Sequence, residues 1–216
     1  MLRAPGYLLS LSASLVVFAC DQRPALAAPS PLVADLVFDG AVVNSTADNR
    51  PGIAIAGSNL SALITDSTVT TAGQLSHGTS LTGTGTALAI RGSAFTTLGD
   101  LAHGVNVAGS NNAGELSDST VSTRGDNAFA LSLQGSADVQ ADRVTLDTTG
   151  QFSSAINVLD DSVITLSNSE LQTSGRSAHG LYLLGANSGQ RAQGVVENTT
   201  IRTTGDKAIG VNVNRN

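Results

Sequence analysis

The 216-residue chain has no tryptophan, one cysteine, one methionine, five prolines and only 3% aromatic residues. Each scarcity excludes something. With Cys20 as its one cysteine, the chain cannot form an intramolecular disulfide, so its stability must come from packing. Without tryptophan and with few other rings, the aromatic platforms that usually line sugar-cleaving grooves are not expected. Basic residues are also outnumbered, 11 against 17 acidic, for a formal charge of −6. That balance argues against nucleic acid and anionic membrane surfaces as partners, since both attract basic patches.

What the chain does have is glycine, 23 residues of it, set in a repeating pattern with serine, threonine and asparagine. The stretch from Asp118 to Leu133 reads DSTVSTRGDNAFALSL, and close copies recur along the chain. With Gly125 as anchor, the equivalents are Gly73, Gly99, Gly150, Gly175 and Gly205, separated by 26, 26, 25, 25 and 30 residues. Four before each anchor stand Val69, Phe95, Val121, Leu146, Leu171 and Ile201, all apolar. Nine before stand Ile64, Ile90, Leu116, Ala141, Leu166 and Val196. Six and eight after come further series, represented in one repeat by Leu131 and Leu133 and in the next by Ile156 and Val158. Five after, the residue is always small: Gly78, Gly104, Ala130, Ala155, Gly180 or Gly210.

Each apolar series alternates with polar neighbours at period two, the spacing of strands with one buried face. Three short strands per repeat follow, joined by Gly, Ser, Asn and Asp turns. One such repeat cannot bury its own apolar face, but stacked copies can. The fold class expected is all-β, a parallel β-helix of about seven coils. The first coil is degenerate and starts at Val43 with Ala47 as anchor; the last ends at Val213. Threonine stands two before every anchor, from Thr71 through Thr97, Thr123, Thr148 and Thr173 to Thr203. These side chains are expected to point inward as a ladder, each hydroxyl bonding along the stack.

Ahead of the repeats, Arg3 and the apolar run from Tyr7 to Ala19 read as a secretory signal, too short to stay as a membrane span. Ala25, Leu26 and Ala27 place cleavage before Ala28. Val17, Phe18, Ala19 and Cys20 form a rival, lipoprotein-type site with Cys20 as the lipidated residue. Cleavage after Ala27 removes Arg3, Arg23 and Asp21, leaving the mature chain one unit more negative and free of cysteine. The expected organisation is a leader over 1–27, a cap or lead-in over 28–42, and repeats over 43–216. No transmembrane segment is expected in the mature chain. One insertion, Gly185 to Arg191, should bulge from a corner of the stack.

The leader, the Gly, Ser, Thr and Asn richness, and repeats such as DSTVSTRGDNAFALSL and NSELQTSGRSAHGLYLLG resemble the pertactin-like passenger region of bacterial autotransporters, over roughly Val43 to Asn216. The resemblance implies a right-handed β-helix, in keeping with the usual hand of parallel crossovers. It also implies display at the outer membrane and adhesion to host cells or other bacteria. Such passengers end in a translocator β-barrel, for which no set of alternating strands follows Gly205. The expectation is therefore a passenger fragment relying on a separate translocator, or a periplasmic product without one.

Three groups of residues carry possible chemistry. Arg124, Gly125 and Asp126 spell the RGD tripeptide, which in adhesive proteins resembles an integrin ligand, a guanidinium and a carboxylate flanking glycine at a turn. Because Gly125 is the anchor, the motif needs only one Arg and one Asp beside it. His77, His103 and His179 all fall four after the anchor, in phase with the buried series. They read as packed corner residues, since a zinc site needs a third ligand and supporting partners. Asp66, Asp118, Asp142 and Asp161 raise the comparison with the carboxylates of β-helix sugar-active enzymes, yet Asp66, Asp118 and Asp142 begin repeats, seven or eight residues before an anchor, and turn formation explains those three. No catalytic residue, metal or cofactor is expected. A non-catalytic surface role toward a host-cell or bacterial receptor is the leading expectation, an inert stalk the alternative, and a carbohydrate-active enzyme a distant third.

Overall fold

The computed structural model describes residues 8–10, 34–185 and 189–215. The positions proposed for leader cleavage and for lipidation at Cys20 lie outside them. Leu8–Ser10 forms a short strand, β1, paired antiparallel with a strand of the last coil. The rest is a β-solenoid of seven coils with three strands each. In the first coil these are β2 (Leu36–Asp39), β3 (Val42–Ser45) and β4 (Ile53–Ser58). The pattern continues with β5 (Ser61–Thr65), β6 (Thr68–Thr71) and β7 (Thr79–Thr84), then β8 (Ala87–Arg91), β9 (Ala94–Thr97) and β10 (Val105–Ser110). The fourth coil holds β11 (Ala113–Ser117), β12 (Thr120–Thr123) and β13 (Leu131–Gly135), the fifth β14 (Asp138–Asp142), β15 (Thr145–Thr148) and β16 (Ile156–Leu159). The last two hold β17 (Val163–Ser167), β18 (Glu170–Thr173), β19 (Leu181–Gly185), β20 (Gln193–Glu197), β21 (Thr200–Thr203) and β22 (Val211–Arg215).

First strands stack into sheet B (β2 to β20), second strands into sheet A (β3 to β21), third strands into sheet C (β4 to β22), and every pair between coils is parallel. The register equals the repeat length, so equivalent residues face each other: Val121 pairs with Phe95 and with Leu146. A period-two strand so paired buries the same face in every coil. Val69, Phe95, Val121, Leu146 and Leu171 are all within 1% of complete burial. In the last coil the equivalents of Leu181 and Leu183, namely Val211 and Val213, are exposed, because no described coil lies above them. Pairing begins at Leu36, so the solenoid extends into the segment that reads as a lead-in.

The anchor glycines owe their identity to contact between coils. A Cβ on Gly125 would stand 2.0 Å from the carbonyl oxygen of Gly99, and one on Gly150 would stand 1.9 Å from that of Gly125. Ala47 holds this place in the first coil, with no described coil beneath it. The corner from sheet B to sheet A has a different requirement, a left-handed residue in all seven coils: Gly40, Asp66, Gly92, Asp118, Arg143, Asn168 and Asn198, with φ between +46° and +59°. Gly, Asn and Asp tolerate that region best, which accounts for six of the seven.

Two expectations are corrected at the corners. The threonines two before the anchor are buried from Thr71 to Thr173, but their hydroxyls do not bond along the stack. Each donates to the carbonyl five residues on in its own coil, as Thr97 does to Ala102 and Thr123 to Ala128, at 2.5–2.8 Å across the five coils. The bend brings that carbonyl nearer than the next rung. Bonding along the stack falls instead to a largely serine series six before the anchor. There Ser67 Oγ accepts the N–H of Ala41, Ser93 that of Ser67, and Ser119 that of Ser93, at 3.0–3.1 Å.

The histidines are the second correction. Gly78 and Thr79 are both buried although adjacent, so the in-out alternation is reset at the corner. Counting back through it inverts the face, and His77, His103 and His179 stand on the outside of the stack, half-buried.

Candidate functional site

The tripeptide Arg124–Gly125–Asp126 sits at the corner between β12 and β13. Its glycine is buried in the anchor column, Arg124 is exposed and Asp126 is half-buried. Asp126 belongs to a column in which each carboxylate accepts a backbone N–H of the coil above. Asp48 takes that of Gln74, Asp100 that of Asp126 and Asp126 that of Gln151, each at 2.8 Å. The second carboxylate oxygen of Asp126 meets the Gln151 side-chain amide at 3.4 Å. The geometry thus gives the tripeptide a structural task in holding two coils together.

The histidines do comparable work. His77 and His103 stack with ring centroids 4.8 Å apart, and Phe129 continues the stack 4.9 Å beyond His103. Nδ1 of His103 accepts the Phe129 N–H at 3.1 Å, and Nδ1 of His179 accepts the Ile209 N–H at 3.1 Å. An accepting Nδ1 requires the neutral ring with its proton on Nε2. Burial pushes all three imidazoles toward that form; His103, with His77 also beside it, is lowered to about 3. Among the described residues no three His, Cys, Asp or Glu side chains converge to hold a metal ion.

The aspartates divide. Asp66 and Asp118 occupy left-handed corners, as turn formation requires. In the fifth coil Arg143 takes that corner, and Asp142 precedes it. Arg143 forms a two-pronged pair with Asp118, Nε to Oδ1 at 2.6 Å and Nη2 to Oδ2 at 2.8 Å, and also reaches Asp142. Asp142 further accepts the Asn168 amide and the Ser167 hydroxyl, both at 2.7 Å. Asp161 accepts the backbone N–H of Arg191, tying down the far side of the insertion, whose residues 186–188 lie outside the described set. The Arg143 hydrogen bond lowers the Asp118 carboxyl, and the Asn168 and Ser167 bonds lower that of Asp142. A general acid needs the opposite shift.

Beside this cluster lies a concavity of about 660 Å³ on the outer face of sheet B across β8, β11 and β14. Its floor is Ala87, Ala89 and Ala113, which occupy outward positions where neighbouring coils carry longer side chains such as Leu63 and Gln140. Short side chains in adjacent coils leave a trough in the sheet surface. The ion pair of Arg91 with Glu115 at 3.0 Å and the Asp142–Arg143 pair also line it. A search of the sequence for carboxylates and metal ligands misses it. The signal that reveals it is the run of alanines among the outward positions, taken coil by coil.

No helix among the described residues is long and apolar enough to cross a membrane, which leaves strand-built spans untouched. Comparison with known protein families, with curated proteins and with solved structures finds no match.

Proposed function

We propose that this chain is an exported, non-catalytic solenoid that makes contacts at the cell surface, in the manner its resemblance to pertactin-like passengers implies. The observation that carries the reading is the trough over β8, β11 and β14. It joins an apolar floor to charged groups of both signs, as protein-recognition surfaces do. The partner is a receptor protein on a host or bacterial cell. The paired, downward-shifted carboxylates of Asp118 and Asp142 favour recognition over hydrolysis. Reaching the surface calls for a translocator; without one the product stays in the periplasm.

Beads coated with the purified chain test this against cultured host cells and against bacteria. Attachment above that of uncoated beads is expected. It should be lost in Ala113→Arg, which fills the trough from an exposed position without disturbing the core. Absence of attachment to either cell type would favour the inert-stalk alternative.

A further inference from the structure

The outward column of rings at the corner between sheets A and C is interrupted. His77, His103 and Phe129 stack at 4.8 and 4.9 Å, close to the ~4.8 Å rise of the coils, so each ring covers the next. The following coil places Ser154 in this position, and the one after returns to a ring, His179. The faces of Phe129 and His179 are therefore two rungs apart, roughly 10 Å, with the space of one ring between them.

That space is a cavity of about 280 Å³, and both rings line it. Phe152, nearly half exposed, and Tyr182, stacked on His179 at 5.7 Å, add two more rings. Three of the five Phe and Tyr residues in the solenoid thus gather at one place in a chain poor in aromatics. The remaining lining is uncharged and polar. Asn157 is 4% exposed, and its side-chain amide makes no hydrogen bond to a described residue, so a donor pair and an acceptor face the cavity unpartnered. Ser154 Oγ accepts the His179 N–H at 3.2 Å, which leaves its proton free to donate. Asn212 reaches His179 Nε2 at 3.1 Å and places a second amide at the rim.

We infer that the slot between Phe129 and His179 binds one pyranose ring of a neutral saccharide. A chair-form sugar matches the thickness of the missing ring and offers C–H faces to the aromatic rings on either side. Its hydroxyls pair with the Asn157 and Asn212 amides and with Ser154. The lining holds no Lys, Arg, Asp or Glu, so neither an acidic nor a basic ligand finds a counter-charge. The absence of a carboxylate from that lining also suits holding a sugar over cleaving it. This adds a second ligand class to the contact reading, on a different face from the trough, and glycoside binding can fail or hold independently of bead attachment.

The test uses the purified chain and a panel of methyl glycosides of glucose, galactose, mannose and N-acetylglucosamine. Saturation-transfer NMR should show transfer to at least one glycoside, and Tyr182 fluorescence, unobscured by any tryptophan, should change with it. Ser154→His restores the missing ring, and its Nδ1 can accept the His179 N–H as His103 does for Phe129. This variant should bind at least 10-fold more weakly while melting no lower than the parent. Asn157→Ala, which keeps the slot open, should lose about fivefold in affinity. Transfer to none of the glycosides, or undiminished binding by Ser154→His, overturns the inference.

Discussion

Nδ1 of His77 accepts the backbone N–H of His103 at 3.0 Å while the two imidazoles stack face to face. Protonating His77 at Nδ1 would break this pairing, protonating His103 would break its own with the Phe129 N–H, and protonating both would set two charges against each other. Burial holds His103 down at about 3 and lowers His77 and His179 as well. In the unfolded chain these groups titrate near ~6.5. Between about 6.5 and about 3 the unfolded state therefore binds protons that the folded state does not. Stability falls as pH drops through that window and levels off below it. Asp118 and Asp142, both lowered, add their own loss below about pH 4. The melting temperature should be flat from pH 8 to 7 and decline from about 6.5 downward. His103→Asn keeps an acceptor for the Phe129 N–H without titrating, and should flatten the decline above pH 5. An unchanged slope would remove His103 from the explanation.

Gly125→Ala tests the anchor column. The added Cβ meets backbone at 2.0 Å, which cannot be relieved by a rotamer change. A loss above ~3 kcal/mol in denaturant unfolding is expected, the range of severe overpacking. Ala47→Gly at the equivalent place in the first coil should change stability by less than about 0.5 kcal/mol.

Thr79 stands where the coils above it have Val105, Leu131 and Ile156, and its hydroxyl is buried without a partner. Thr79→Val should therefore stabilise the chain by ~1 kcal/mol, since it removes an unpaired polar atom and keeps the shape. Thr123→Val should do the reverse, costing ~1–3 kcal/mol, because the Ala128 carbonyl loses its donor. Equal effects from the two substitutions would refute the distinction between them.

Asp126→Ala separates the structural reading of the RGD tripeptide from the integrin reading. Losing the acceptor for the Gln151 N–H should cost ~1 kcal/mol of stability. Bead attachment should persist. If attachment vanished in a folded variant, the tripeptide would be the contact site and the trough would not.

The fold is legible because its signal is repeated seven times. A series such as Val69 through Ile201 fixes the period, the buried face and the register at once, and parallel pairing at the repeat length follows. The corners are harder, because alternation does not run through a bend. Gly78 and Thr79 both point inward, which turns the histidine column outward against expectation. The partners of the threonine hydroxyls escape the pattern for a related reason: a carbonyl five residues away lies close only once the corner has folded. The trough and the ring slot are illegible for another cause. Both are defined by what is small in a column, Ala87, Ala89 and Ala113 in one and Ser154 in the other, and small residues carry no chemistry to search for.

The most direct test of the account is whether an epitope tag joined after Asn216 can be reached by antibody on intact producing cells, compared with cells whose outer membrane has been permeabilised. Labelling of intact cells is the result expected of an exported solenoid that works at the surface. Labelling only after permeabilisation would place the chain in the periplasm and contradict the surface-contact role.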